Sequence, residues 1–497
     1  MRAGVVGIAV ALLASIIRHY QLRAATNAYI AELKANGEPM DLAQVMPLRV
    51  PADKNSAETL REAAALFKAD SSLLTSNVYC SMRMVAPGKA MVCSQQPDAR
   101  DYNVTNSWDE VVAAVSQNKE SFGLLHQVIE KPVLDFQIHY EGGAADLGFT
   151  NMCLSEVKEA ALRLQVAVLS DLHRGENASA GRDLRAMLAI VKGMREERLV
   201  ITELVRIAIA QIALRANWEI LQNPNVTDGQ LARLQDDWAS IEFIRAGEKA
   251  LELDRVVDEI TLQKWRHSDA DLWRSFYFYK ESGLLPKAVA LESIQFESQV
   301  FRWQFWWSYP DELRTLKGYQ ATLDAWRFVT TNSSFVLAQR QLTNAVAKLM
   351  IPTNSDGLFF DFNHLDMRSM FSPSVLSMEK YLYRAIEAET AKASVTGAIA
   401  LKRYQLKHGE YPATLAALVP EFVSKVPHDP MDGQPLRYRS NQDGTFLLYS
   451  IGDDGKDDGG DPTPTGKFKG WQAGRDWVWP QPASAEEIQK FYDNPPK

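Results

Sequence analysis

Leu154-Ser155-Glu156-Val157-Lys158-Glu159-Ala160-Ala161-Leu162-Arg163-Leu164-Gln165-Val166-Ala167-Val168-Leu169-Ser170-Asp171-Leu172 decides the fold class. Leu154, Val157, Ala161, Leu164, Val168 and Leu172 recur every three or four positions, which puts them on one face of a helix. Gly175 to Gly181 interrupts the pattern, and Leu184, Leu188 and Val191 carry a second stripe, so the two segments read as a helical hairpin. The next stretch, about 198–222, is apolar around most of its circumference, as a buried central helix would be. Further helices are expected at 228–241, 246–267 and 312–350. No repeat period is firm enough to define a solenoid. The expected class is mainly α, with a helical body over 151–370.

The 497 residues allow roughly three domains. With 46% apolar and 23% charged residues, a sizeable core is expected rather than disorder. The net charge of −8 and the absence of any Lys/Arg run argue against a nucleic-acid partner. Residues 24–150 read as a mixed, mostly helical region. Gly37-Glu38-Pro39 and Pro47 to Pro51 look like linkers, and Asn55-Ser56-Ala57-Glu58 and Ser107-Trp108-Asp109-Glu110 look like capping boxes that open helices. A hairpin is expected around 76–94, turning at Pro87-Gly88. That register sets position 82, not 80, opposite Cys93. Cys80 and Cys93 are therefore read as two separate thiols.

Ala3 to Ile17 is an unbroken run of apolar and small residues behind Arg2. Fifteen helical residues reach about 22 Å; extension through Tyr20 and Leu22, with Arg18 snorkelling, brings the helix to spanning length. A cleaved signal peptide is the rival reading, but Leu22-Arg23-Ala24-Ala25 puts Arg where a small residue should precede cleavage. The expectation is a single-pass anchor over 1–23, contacting the inner membrane through residues 3–22, with the bulk of the chain periplasmic.

No HExxH, GxSxG, P-loop or GxGxxG is present. His364, between Asp361 and Asp366, has acidic neighbours but reads as a surface group. Glu248, Glu252 and Glu259 form a carboxylate row on one helix. Without a Glu-x-x-His pair the row reads as a solvated face. The aromatic concentration from Trp273 to Trp326, densest at Trp303, Phe305, Trp306, Trp307 and Tyr309, reads as packing between helices.

The last quarter changes character. A long helix over 377–408 stops at Lys407-His408-Gly409, and Tyr411-Pro412, a short helix at 413–419 and an Asp429-Pro430 turn follow. Two strands, 436–439 and 445–450, flank Asn441-Gln442-Asp443-Gly444, ahead of an acidic loop from Asp453 to Asp461 and Asp476-Trp477-Val478-Trp479. Tyr404 to Pro412, Asp429-Pro430, Arg437-Tyr438-Arg439 and Tyr449-Ser450-Ile451-Gly452-Asp453-Asp454-Gly455 together resemble the globular head of type II secretion major pseudopilins. The N-terminus lacks the prepilin-peptidase site of that family, so pilus assembly through its first helix is not expected. The resemblance implies a small α+β head over 377–497 that binds calcium. Asp454 and Asp476 match the family's ligand positions, and Asp457, Asp458 and Asp461 are additional candidates. The crowding itself calls for solvation or for a cation with oxygen ligands. A solvated, mobile acidic loop is the competing reading. The function expected from all this is a non-catalytic envelope protein that contacts other envelope proteins. The alternatives are an envelope-polymer hydrolase with a dispersed active site and a part of a divergent secretion apparatus.

Overall fold

The computed structural model describes residues 2–67, 72–75, 81–100, 105–143, 148–273, 300–349, 378–466 and 470–493. It is 66% helical with a few small sheets, so the mainly α class with a small α+β C-terminal region holds. The principal helices are α1 (Arg2–Ala35), α2 (Ala57–Leu66), α3 (Trp108–Gln117), α4 (Lys119–Gln127), α5 (Gly148–His173), α6 (Asn177–Gly193) and α7 (Val200–Leu221). They continue with α8 (Asp228–Ala239), α9 (Phe243–His267), α10 (Ser308–Asn332), α11 (Phe335–Ala347), α12 (Met378–His408) and α13 (Ala485–Asp493).

The α5/α6 hairpin follows its sequence pattern. Every stripe residue from Leu154 to Leu172, and Leu184, Leu188 and Val191 after them, is buried. Gly175 takes a left-handed φ of +76° at the junction, and the Glu176 N–H returns to the Asp171 carbonyl at 2.8 Å, closing the helix end. Helix α7 is buried around most of its girth and packs against α5, α6, α9 and α12. One continuous core runs from Val45 to Phe491, across the boundaries expected near 150 and 377.

Two expected helix starts behave differently. Ser107 forms its capping box: Oγ accepts the Glu110 N–H at 3.3 Å, and the Glu110 carboxylate accepts the Ser107 N–H at 2.9 Å. At Asn55 the box is only half made. Its Oδ1 accepts the N–H groups of Ala57 and Asp135, while Glu58 turns to Arg61. The single helix expected over 312–350 is broken at Ser333, which has φ +52°. Thr330, Thr331 and Asn332 donate side-chain hydrogen bonds to carbonyls four residues back, competing with continuation of the helix. The freed N–H groups of Phe335 and Val336 bond instead to the carbonyls of Pro430 and Met431.

The membrane anchor does not hold. Among the described residues no helix is long and apolar enough to cross a membrane, which overturns the single-pass inner-membrane placement. The apolar run ends too early, and its extension is tied to the helical body. His19 Nδ1 donates to the Phe305 carbonyl at 2.6 Å, the Thr26 hydroxyl donates to the Tyr309 carbonyl at 3.2 Å, and Leu33 packs with Met40 and Leu316.

Strands are short. β1 (Arg83–Ala86) and β2 (Lys89–Met91) form the expected hairpin, with Gly88 at φ +70° in the turn. β3 (Arg437–Ser440), β4 (Phe446–Ser450) and β5 (Trp477–Val478) form an antiparallel sheet in which Arg437 faces Tyr449 and Ser450 faces Trp477. β6 (Gln481–Pro482) then leaves the C-terminal region and pairs in parallel with β2, Lys89 facing Gln481. A single turn of α7 secures this union. Trp218 donates its indole N–H to the Pro480 carbonyl at 3.0 Å. Next to it, the buried Glu219 accepts the N–H groups of Met82, Cys93 and Ser94 and the Ser94 hydroxyl, at 3.0–3.3 Å.

Cys93 is disulfide-bonded and Cys153 is free and buried, which corrects the reading of Cys93 as a separate thiol. Cys80 lies outside the described residues. The register differs from the one expected: it slips between Met84 and Ala86, so continuation from the Arg83–Met91 pair sets position 81, not 82, opposite Cys93. In denaturant, the full chain is expected to show one reactive thiol before reduction and three after; three before reduction refutes the bond. Glu219→Ala should strip a partner from three buried amides and lower stability by roughly 3 kcal/mol, read from the urea midpoint.

Candidate functional site

The acidic loop begins where β4 ends, above Asp429. That side chain is fully buried and accepts the N–H groups of Met431 and Ile451 at 3.0 Å each, the Ser450 hydroxyl at 2.8 Å and Arg437 at 3.3 Å. It fastens the Asp429-Pro430 turn to the end of β4. Burial pushes its carboxyl up from the ordinary value, and the donors pull against that shift.

Asp476, at the start of β5, is likewise buried. One oxygen accepts the Asp458 N–H at 3.4 Å; the other accepts those of Gly460 at 2.7 Å and Asp461 at 3.1 Å. The loop therefore turns its amides inward around an anion, helped by left-handed Gly459 and Gly460. Asp457 accepts the Tyr449 hydroxyl and the Gly459 N–H, each at 3.0 Å, with Arg437 at 3.5 Å. Asp454 and Asp461 accept the N–H two residues on, from Lys456 and Thr463. Asp453, Asp454, Asp457 and Asp458 are exposed, and Asp461 is half-buried. Among the described residues no three His, Cys, Asp or Glu side chains are placed to hold a metal ion. Asp476 in particular does not fit a cation ligand here, because both its oxygens already face donors.

The carboxylate row on α9 is not a solvated face. Glu252 and Glu259 are buried, and Glu248 and Glu252 bind Arg327, at 2.8 and 3.5 Å. Arg327 also binds Glu38, which Arg255 reaches at 3.0 Å and the Gln320 amide at 3.0 Å. Burial works against the Glu38 charge, but the hydrogen bonds from Arg327, Gln320 and Arg255 outweigh it and hold the carboxyl at about 2. The Gly37-Glu38-Pro39 linker is thus a docking point for α9 and α10. Farther along, Glu259 lies beside Glu312, which Arg266 binds. Burial and that neighbour raise the Glu259 carboxyl, and Gln263 donates to one of its oxygens at 2.7 Å.

The aromatic cluster divides. Trp303 and Trp326 are wholly buried, with indole N–H bonds to Asp311 and the Ile244 carbonyl, whereas Phe301 and Trp306 are exposed. Trp303–Trp307 forms a π-helical turn against α1. His364 lies outside the described residues. Sequence reasoning missed Glu38, Glu219 and Glu197. Glu197 accepts the Phe136 N–H and the Tyr140 hydroxyl, and its only sequence signal was an acid next to apolar helix. Comparison with known proteins finds no family model, curated protein or solved structure that matches the chain.

The buried acids set a pH dependence. Burial raises Glu219 and Glu197 to about 7 from 4.5, and Asp183, beside His126, to about 6 from 3.8. Between the unfolded and folded values the native state holds more protons than the unfolded chain, so stability falls as pH rises. Glu38 acts oppositely: its contribution is present above 4.5 and is lost as pH falls toward 2. The melting temperature is therefore expected to be higher at pH 5 than at pH 8, and Glu219→Gln should flatten the slope between them. A melting temperature that climbs from pH 5 to pH 8 contradicts this assignment.

Proposed function

We propose that this chain is a non-catalytic contact protein that first assembles with a second copy of itself through α1. One observation carries the reading. Val6, Val10, Leu12, Leu13, Ile16, Ile17 and Tyr20 are 43–62% exposed and lie together on one helix. Val6, Val10, Leu13, Ile17 and Tyr20 follow a 4-3-4-3 spacing, a coiled-coil seam with β-branched Val10 and Ile17 at one position and Leu13 at the other, the pattern that favours two strands. The seam carries no charge and lies on the far side of α1 from the residues that pack on the body. Light scattering should report a dimer of the full chain at micromolar concentration. Leu13→Asp with Ile17→Asp should give a monomer of unchanged helical content. A monomeric native chain sinks the reading.

Calcium belongs to this proposal as a ligand of the C-terminal loop, supported by the exposed carboxylates Asp454, Asp457 and Asp458 with Asp461 beside them; Asp476 stays the loop's internal anchor. The resemblance to pseudopilin heads supports the same assignment. Because α12 packs into the body and β6 pairs with β2, the full chain is the proper test object. Its melting temperature should rise in millimolar calcium relative to EGTA by mass action, and Asp454→Ala should remove the rise. Superimposable melting curves refute the calcium assignment.

A further inference from the structure

The side of α1 that meets the π-helical turn does not close on it completely. A groove of about 320 Å³ remains, with Ala11, Ala14 and Ser15 as its floor and Phe305, Trp306 and Trp307 as its aromatic wall. That size and lining suit a small amphiphile, since ligand sites are concave, mostly apolar and furnished with few polar groups. The wall is fixed in place: the Trp306 indole N–H donates to the Ser15 hydroxyl, and His19 Nδ1 donates to the Phe305 carbonyl. A π-helical turn is an irregularity that recurs at functional sites, and here it sets three consecutive rings along one groove.

The polar end is cationic. Arg18 lines the groove, its side chain is exposed, and it forms no ion pair among the described residues. No Asp or Glu precedes Glu32 in the sequence, so the first 31 residues supply no counter-charge to the guanidinium, in a chain whose net charge is −8. A guanidinium without an ion pair among the described residues presents a planar fork of donors that matches a carboxylate. An aromatic trough that ends in such a fork selects a molecule with an apolar chain and one anionic head.

We infer that the groove between α1 and Trp303–Trp307 binds a monomeric medium-chain carboxylate of the fatty-acid class, its tail along Phe305, Trp306 and Trp307 and its head on Arg18. Ser15, His19 and Leu22 of the groove lie on the body-facing side of α1, away from the dimer seam, and Arg18 is not part of that seam, so the two assignments are tested by different residues.

Isothermal titration of the full-length protein with dodecanoate below its micellar concentration tests this. One saturable site per chain is expected. Arg18→Gln should weaken binding at least tenfold, Arg18→Lys, which keeps the charge but loses the fork, should fall between native protein and Arg18→Gln, and dodecanol should bind native protein no better than dodecanoate binds Arg18→Gln. Ala14→Trp, which fills the groove, should abolish binding; if that variant loses helical content, Ala11→Leu is read in its place and should bind less than the native chain. The Leu13→Asp, Ile17→Asp protein should bind as the native chain does. Absence of a saturable site overturns the proposal, as does equal affinity of native protein and Arg18→Gln, or of dodecanoate and dodecanol. Binding to phosphatidylglycerol vesicles without binding of monomeric dodecanoate overturns it in favour of a lipid surface. Full affinity in the groove-filling variant overturns it as well.

Discussion

Two adjacent residues in the last turn of α7, Trp218 and Glu219, hold the β1–β2 hairpin and the C-terminal strand β6 to the helical body. The carboxylate gathers three amides of the β1–β2 region, and the indole reaches the carbonyl that leads into β6. Neither partner segment has a core of its own: β1 and β2 are four and three residues long, and β6 is two. Hairpins of that size are marginal in water, so their order comes from the helix that they rest on. Burying the charge of Glu219 is costly in itself, and the four donors are what make the position tolerable.

The same device recurs wherever irregular backbone approaches the core. Asp135 accepts the N–H groups of Val50 and Gln137, Glu197 that of Phe136, Asp429 those of Met431 and Ile451, and Asp476 those of the acidic loop. Buried amides outside helices and strands need acceptors, and an isolated carboxylate has room for several. In a protein whose sheets are this small, acidic side chains do the work that ladder hydrogen bonds do elsewhere. A motif search for acids in catalytic or metal-binding arrangements therefore meets many carboxylates with a purely structural task.

The helical body was legible because its signal is local. The stripe from Leu154 to Leu172, the Gly175 break and the Ser107 capping box each depend on residues a few positions apart, and each is found as read. The strands at 437–440 and 446–450 were legible for the same reason, through the turn between them. What the sequence hid is non-local. Glu248, Glu252 and Glu259 look like a solvated row until Arg327, Glu38 and Glu312 arrive from other helices. The register beside Cys93 slipped by a one-residue bulge, and the fate of α1 depended on carbonyls nearly three hundred positions away. For the acidic loop, composition suggested a cation, while the backbone around Asp476 is arranged for an anion; spacing alone carries no sign of which groups will point inward.

The parallel pairing of β2 with β6 also has a temporal meaning. On a ribosome that adds roughly 5–20 residues per second, the chain between Ala90 and Gln481 takes roughly 20–80 s to emerge. For that interval β2 has an open edge, and the carbonyls of Gly88 and Ala90, which will accept the N–H groups of Gln481 and Ala483, lack those donors. An open strand edge invites pairing with other nascent chains. Cys93 and Glu219 lie beside that edge and are both synthesised long before Gln481, so the contacts that order the hairpin against α7 are available before the last strand arrives.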